Sequence, residues 1–255
     1  MLPTPHATRP IRSAAIRTLL ALVRPILRAH LAQYRRDVLT APFPSDEPVT
    51  VVEGPSPRRM LFVGDVGAAG YGVLRHGMAV PARAAAAIAA SRSRGVEIQV
   101  IASPDLTAAG LSAAADHDLA DLDVAVLMLG IPDVLLATTA ESWSADLARA
   151  IAELRDEAGQ ACHVIIAGIP PVSDFRPVPA PARAILDRQT AALNRASERL
   201  AGDCQAVSFV PFPDLRLGTA LVEDSISWPS LHRIWAEAIA NATIAALARM
   251  DRSAR

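Results

Sequence analysis

The sequence predicts an α/β protein, a three-layer α/β/α sandwich around a five-stranded parallel sheet. Five short apolar runs indicate strands that are buried on both faces, at residues 60–63, 98–102, 124–129, 164–167 and 207–210. Stretches rich in alanine, leucine and arginine predict helices near residues 78–93, 140–157, 180–200 and 230–250. Strands that alternate with helices form a parallel sheet through right-handed crossovers. Because such sheets bind ligands beyond the carboxyl ends of their strands, we expect the functional site there.

The composition fits one domain and limits the classes of partner. A chain of 255 residues that is 51% hydrophobic can bury one sizeable core. The formal charge of −1 argues against nucleic acid as the main partner, since phosphate binding needs a basic surface. The two cysteines, Cys162 and Cys204, are too few for a disulfide framework and lack metal-ligand spacing, so we expect a cytoplasmic protein. The abundant alanine, with arginine in place of lysine, is typical of a GC-rich bacterial genome.

Residues 1–40 predict a basic amphipathic helix. Between residues 11 and 36, apolar side chains recur at helical spacing and six arginines lie at positions between them. The arginines interrupt the apolar residues too often for a membrane-spanning helix, and a signal peptide fits no better. Two interpretations stay open: the helix lies on an anionic membrane, or it docks on its own domain or on a partner with its arginines in water. Pro25 is expected to kink or divide it.

The next stretch, residues 41–58, is rich in proline and turn-forming residues. This composition is typical of a linker. The domain itself is then expected over residues 59–250.

Four motifs lie at or near the predicted strand ends of this domain. In chain order they are "FVGDVGAAGYGV", "VAVLMLGIPDV", "AGIPPVSDF" and "LVEDSISWPSLHRIWAEA". Together they resemble the SGNH hydrolases, also called GDSL esterases and lipases. The resemblance runs from about residue 59 to residue 240 and implies the flavodoxin-like fold of that family.

The resemblance also implies which positions would carry ester hydrolysis. In that family a serine attacks the acyl carbonyl, a histidine acts as its base, and an aspartate three residues earlier supports the histidine. The serine N–H, a glycine and an asparagine stabilise the oxyanion. In this chain the serine position holds Val66, the glycine position Asp105, the asparagine position Pro132 and the histidine position Ser227, while the aspartate is retained as Asp224.

These replacements predict that the usual reaction is lost. Val66 has neither a hydroxyl nor a thiol, and Pro132 has neither an amide side chain nor a backbone N–H. Asp105 would place a negative charge beside a developing negative charge, and Ser227 cannot accept a proton near neutral pH. We therefore expect a pseudoenzyme without a cofactor. It would bind an acyl or lipid ligand, or a membrane or protein partner through its N-terminal helix.

Two active alternatives remain open at this point. His232 could serve as a relocated base with Asp224 and a nearby serine such as Ser227. Alternatively, the strand-end carboxylates of Asp65, Asp105, Asp133 and Asp224 could hold Mg²⁺ or Ca²⁺ for metal-assisted hydrolysis. Against the metal, the family's aspartates at the positions of Asp65 and Asp133 hold loops by accepting backbone N–H groups.

Two other features are not expected to bind a nucleotide or a base. The Gly-x-Gly of the first motif lacks the remainder of a dinucleotide-binding fingerprint. Trp143, Trp228 and Trp235 are scattered and are expected to pack within helices and loops.

Overall fold

The computed structural model describes residues 9–111, 119–175, 178–215 and 227–253, with side chains from residue 23 onward. The strands are β1 (Val51–Val52), β2 (Arg58–Gly64), β3 (Val96–Ala102), β4 (Val124–Met128), β5 (His163–Ala167) and β6 (Val207–Val210). The helices are α1 (Arg9–Thr40), α2 (Val66–Ala69), α3 (Val80–Arg92), α4 (Ile131–Leu135), α5 (Ala140–Ala158), α6 (Ala180–Asp203) and α7 (Trp228–Ser253). The five predicted strands and the four predicted helices of the domain are confirmed, with small shifts at their ends.

The sheet has six strands rather than the expected five. Its order is β1-β3-β2-β4-β5-β6, and all neighbours are parallel except β1, which runs antiparallel to β3. The extra strand comes from the stretch predicted to be a linker. Strand β1 is only two residues long, so it carries no periodic pattern that a sequence could display.

Helices cover both faces of the sheet, as the sandwich requires. Along β2, Met60 and Phe62 face one core and Leu61 and Val63 face the other, because successive side chains of a strand alternate. The first core contains buried residues of α3 and α7, and the second contains buried residues of α1, α5 and α6. Every residue of β4 and β5 is buried, which explains why these strands are continuous apolar runs.

Helix α1 docks on the domain along the part whose side chains are described. Leu27 and Leu31 are buried in the second core, and Val23, Tyr34 and Val38 pack against it. These positions follow one another at three- and four-residue intervals, so they share one helix face. The expected division at Pro25 does not occur, because α1 continues through it as one helix. Contact of α1 with a membrane or a second protein stays a prediction.

The stretch that follows α1 is held against the first motif. The N–H of Gly72 donates to the carbonyl of Pro42 over 2.9 Å, and the N–H of Ser45 donates to the carbonyl of Leu74 over 3.4 Å. Within the described ranges, no helix combines the length and the apolar character needed to cross a lipid bilayer.

The docking of α1 predicts unequal effects for two leucines of the same helix. Leu27 is fully buried whereas Leu39 is 85% exposed. We expect Leu27→Ala to lower the free energy of unfolding by about 2–5 kcal/mol, since it leaves a cavity. Leu39→Ala should change it by no more than about 0.5 kcal/mol. Urea unfolding of both variants measures the difference, and equal values would show that α1 does not dock here.

Candidate functional site

The carboxyl end of β2 leads into a turn that is organised by Asp65. The side chain of Asp65 caps α2 by accepting the N–H of Gly67 over 3.2 Å. Its other oxygen accepts the N–H of Ile131 over 3.0 Å, at the start of α4. Burial raises the pKa of the Asp65 carboxyl to about 7, while these N–H donors oppose the rise. The carboxylate therefore ties together the loops that follow β2 and β4.

Asp133 ties a third loop to the same region. Its carboxylate accepts the N–H of Ala108 over 3.1 Å and the hydroxyl of Thr138 over 3.1 Å. Burial raises the pKa of this carboxyl to about 6, against the effect of the same donors. Both carboxylates are thus occupied by loop contacts.

The structure does not gather the carboxylates that the metal hypothesis required. The Asp105 carboxylate lies 3.0 Å from the Arg35 guanidinium of α1, and both side chains are more than half exposed. Asp224 lies outside the described residues. Among the described residues, no group of three or more acidic, histidine or cysteine side chains is placed to hold a metal ion.

Of the remaining sequence-predicted positions, two lie in the short helices at the strand ends and one lies at the start of α7. Val66 is buried as the first residue of α2, and Pro132 is buried in the first turn of α4. Ser227 is exposed and caps α7, because its Oγ lies 3.4 Å from the N–H of Ser230 and 3.1 Å from the Ser230 Oγ. Of Val66, Asp105, Pro132 and Ser227, only Val66 lines the pocket at the strand ends.

This strand-end pocket is small and largely apolar. Its volume is about 90 Å³. Helix α1 contributes to the wall together with the loops after β2, β4 and β5 and the start of α7. The lining residues are Tyr34, Asp37, Val66, Gly67, Tyr71, Ile131, Leu135, Pro170, Val172, Phe175, Trp228, Leu231, His232 and Trp235.

Trp228 and its aromatic neighbours close one side of the pocket. Its ring stacks on Phe175, with centroids 5.6 Å apart, and meets the edge of Tyr71 at 4.9 Å. The close contact between Trp228 and the first motif explains why position 72 is a glycine. This glycine has a φ of +81°, and a Cβ added to it would lie 2.3 Å from Cγ of Trp228. The Gly-x-Gly therefore admits a tryptophan ring, and sequence analysis missed this role of Trp228.

His232 is held by a backbone carbonyl. Its Nε2 lies 2.8 Å from the carbonyl oxygen of Tyr71, so Nε2 carries the proton, since a carbonyl can only accept. The other ring nitrogen, Nδ1, is buried without a hydrogen-bond partner among the described residues. Burial, together with the charge of Arg83, lowers the pKa of His232, so the ring is neutral at pH 7. His232 does not pair with Ser227, whose described hydrogen bonds are made within α7.

Comparison with known proteins identifies the scaffold. A family model described as the GDSL-like lipase/acylhydrolase family matches residues 62–233, which is more than half of the chain. The chain belongs to this GDSL family. No curated protein sequence matches it.

Solved structures agree with the GDSL fold. A protein from Parabacteroides merdae described as a GDSL-like lipase is 15% identical, with a TM-score of 0.53 over 73% of this chain and 97% of that one. A variant of an acetyl-xylooligosaccharide esterase from Geobacillus is 17% identical, with a TM-score of 0.51 over 75% of this chain and 95% of that one. At these identities the likeness shows the fold alone.

The contact between Gly72 and Trp228 predicts a specific loss of stability in Gly72→Ala. Gly159 is the matched control, because its φ is +96° and nothing lies within 4 Å of an added Cβ. Gly159→Ala should cost about 1–3 kcal/mol through backbone strain alone, because a φ of 96° with a ψ of 146° is a conformation that is almost exclusive to glycine. Gly72→Ala should cost about 1–3 kcal/mol more, because the new methyl group overlaps the ring of Trp228. Chemical unfolding measures both, and equal costs would contradict the closure by Trp228.

The lowered pKa of His232 predicts a pH dependence that His232→Gln removes. The unfolded chain takes up a proton near the ordinary histidine pKa of about 6.5, and the folded chain resists it until a lower pH. The stability that the neutral His232 contributes is therefore fully present above a pH of about 6.5. It is lost as the pH falls from there to the lower pKa of the folded chain. Glutamine can still donate to the Tyr71 carbonyl but does not titrate.

The measurement is the free energy of unfolding of both proteins at pH 7.5 and pH 5.5. On acidification, the unsubstituted protein should lose stability relative to His232→Gln. The other titrating groups are common to both proteins, so their contributions cancel. A difference that is the same at both pH values would contradict the buried, neutral state of His232.

Proposed function

We propose that this GDSL-family chain is a binding protein that has lost ester hydrolysis. The observation that carries the proposal is the strand-end pocket itself. Val66 occupies its floor where the resemblance expects a nucleophile, and His232, the imidazole that lines the pocket, is bound to a backbone carbonyl.

Two backbone N–H groups beside Val66 are not available to a developing oxyanion. The N–H groups of Gly67 and Ile131, which lie beside Val66 at the strand ends, both donate to Asp65. Pro132 adds no N–H. Loss of a single oxyanion donor costs an esterase on the order of 10²–10³ in rate, and loss of the nucleophile removes the covalent step.

The lining supports a small, mostly apolar ligand. An apolar cavity of about 150 Å³ holds benzene, so by proportion a cavity of about 90 Å³ accommodates about four carbon atoms. A short acyl or alkyl group fits this space. A long lipid chain would have to displace part of the aromatic wall or of α1.

The proposal also includes a contact of helix α1 with a membrane or a protein partner. Arg24, Arg28 and Arg36 lie on its exposed side, where they can meet an anionic membrane or an acidic partner. We keep the cytoplasm as the proposed compartment, since Cys162 and Cys204 are free thiols.

The active alternatives receive less support. A relocated base at His232 would need its unpaired Nδ1 to reach a hydroxyl, and the Ser227 hydroxyl is bonded within α7. A metal-assisted site would need the carboxylates of Asp65 and Asp133, which hold loops.

Turnover of short-chain aryl esters tests the proposal. We expect highly purified protein at high concentration to hydrolyse them at the rate of the buffer. His232→Gln and Asp224→Ala should give that same rate. Turnover that scales with protein concentration and disappears in either variant would establish a relocated site, and turnover abolished by a chelator would establish a metal site.

A further inference from the structure

Charge is distributed unevenly along the chain. The first 36 residues contain seven arginines and no acidic residue. Because the whole chain has a formal charge of −1, the remaining 219 residues carry a formal charge of −8. Such an asymmetry turns the basic segment toward an anionic partner and turns the acidic remainder away from it. The partner of α1 is therefore expected to carry negative charge.

Three of these arginines share one stripe of the α1 surface. Arg24, Arg28 and Arg35 follow one another at intervals of four and seven residues, so they lie on the same side of the helix. All three are exposed. Leu27 and Leu31 dock the helix from the neighbouring side, where both are buried. The arginine stripe thus stays exposed while α1 is docked.

The charge of this stripe is compensated only in part within the molecule. The Arg35 guanidinium pairs with the Asp105 carboxylate over 3.0 Å. Within the described residues, neither of the other two arginines forms an ion pair. Asp37 comes two residues after Arg35 and therefore lies on another side of the helix, where it accepts a hydrogen bond from Gln33 Nε2 over 2.7 Å. The stripe keeps a net positive charge.

The stripe ends in an exposed apolar side chain. Leu39 follows Arg35 by four residues and is 85% exposed. The segment after α1 adds a second exposed leucine, because the Ser45 N–H donates to the carbonyl of Leu74, which is 65% exposed. Arginines beside exposed leucines are typical of surfaces that lie in the headgroup region of a bilayer. A soluble polyanion would pair with the arginines but would leave Leu39 in water.

The docking of α1 limits the depth of such a contact. An amphipathic helix that lies in a membrane normally inserts its apolar face. In this protein that face is occupied, since Leu27 and Leu31 are buried in the core. The arginine stripe and Leu39 are left for the bilayer. The contact is therefore shallow and mainly electrostatic.

We propose that the docked helix α1 holds this protein on the surface of an anionic phospholipid bilayer through Arg24, Arg28 and Leu39. This inference rests on the proposed function, which includes a contact of α1, and it names the partner and the mode of that contact. The strand-end pocket then lies beside the membrane, since Tyr34 of the same helix lines it.

Sedimentation of the full chain with vesicles tests the partner. The vesicles consist of phosphatidylcholine alone or with about one third phosphatidylglycerol. We expect binding only to the anionic vesicles, with a loss of about tenfold or more when the salt concentration rises from about 0.1 M to about 0.5 M. Equal binding to both vesicles, or binding to neither, would overturn the proposal. Binding that persists at the higher salt concentration would overturn the shallow, docked contact.

A double substitution assigns the contact to the stripe. Arg24→Gln with Arg28→Gln should weaken binding to anionic vesicles by about 25-fold, at about fivefold for each arginine. The matched control is Arg195→Gln with Arg199→Gln, because these arginines are also exposed and four residues apart on α6. The control removes the same charge and should change binding by less than about twofold. Equal losses in the two proteins would show that only net charge matters and would overturn the role of α1.

Leu39→Ala separates a bilayer from a soluble polyanion. It should weaken binding to anionic vesicles by about three- to tenfold and leave binding to heparin unchanged, since only the bilayer offers an apolar phase. Vesicle binding that is unchanged in this variant would overturn the bilayer in favour of a soluble acidic partner. The failure of the proposed function is a separate result, because ester turnover above the buffer rate would overturn it whatever the vesicles show.

Discussion

The buried carboxylate of Asp65 joins the loops that follow β2 and β4 at the strand ends. It accepts the N–H of Gly67 in the next turn and the N–H of Ile131, 66 residues further along the chain. Burial disfavours the charge of this carboxyl and raises its pKa to about 7, and the backbone donors oppose that rise. Because these two N–H groups are committed to Asp65, they are not free to stabilise an oxyanion. The same contact that forms the floor of the pocket therefore limits its chemistry.

Most residues that line the pocket are apolar or aromatic. An ester hydrolase needs a nucleophilic hydroxyl, a base for that hydroxyl and free hydrogen-bond donors for the oxyanion, all in one place. Here the floor is Val66 and one wall is Trp228 against Gly72 and Phe175. Under the proposed binding function, a serine at position 66 alone should not support hydrolysis, because His232 Nε2 is bonded to the Tyr71 carbonyl.

The fold could be predicted from sequence far more completely than the site. Strands β2 to β6 and the long helices are continuous apolar or periodic segments, and burial imposes that pattern locally. Strand β1 was missed because two residues cannot show a period. The positions of Val66 and Pro132 followed from strand ends, but the contact of Trp228 with Gly72 joins distant segments and leaves no local pattern. Asp105 was expected in the site, yet its carboxylate pairs with Arg35, a contact that depends on how α1 docks.

The docking of α1 has a thermodynamic consequence for the pocket. Tyr34 and Asp37 belong to α1 and line the pocket, while Leu27 and Leu31 of the same helix are buried in the core. A ligand that contacts Tyr34 and Asp37 binds only the docked arrangement and therefore stabilises it. A membrane or protein that binds α1 away from the domain removes two pocket residues and so weakens ligand binding. By reciprocity, the ligand weakens the binding of that partner by the same factor. A second partner that binds the exposed arginines without moving the helix leaves the ligand affinity unchanged. The two proposed contacts are thus coupled only through the position of α1, because that helix carries residues of both.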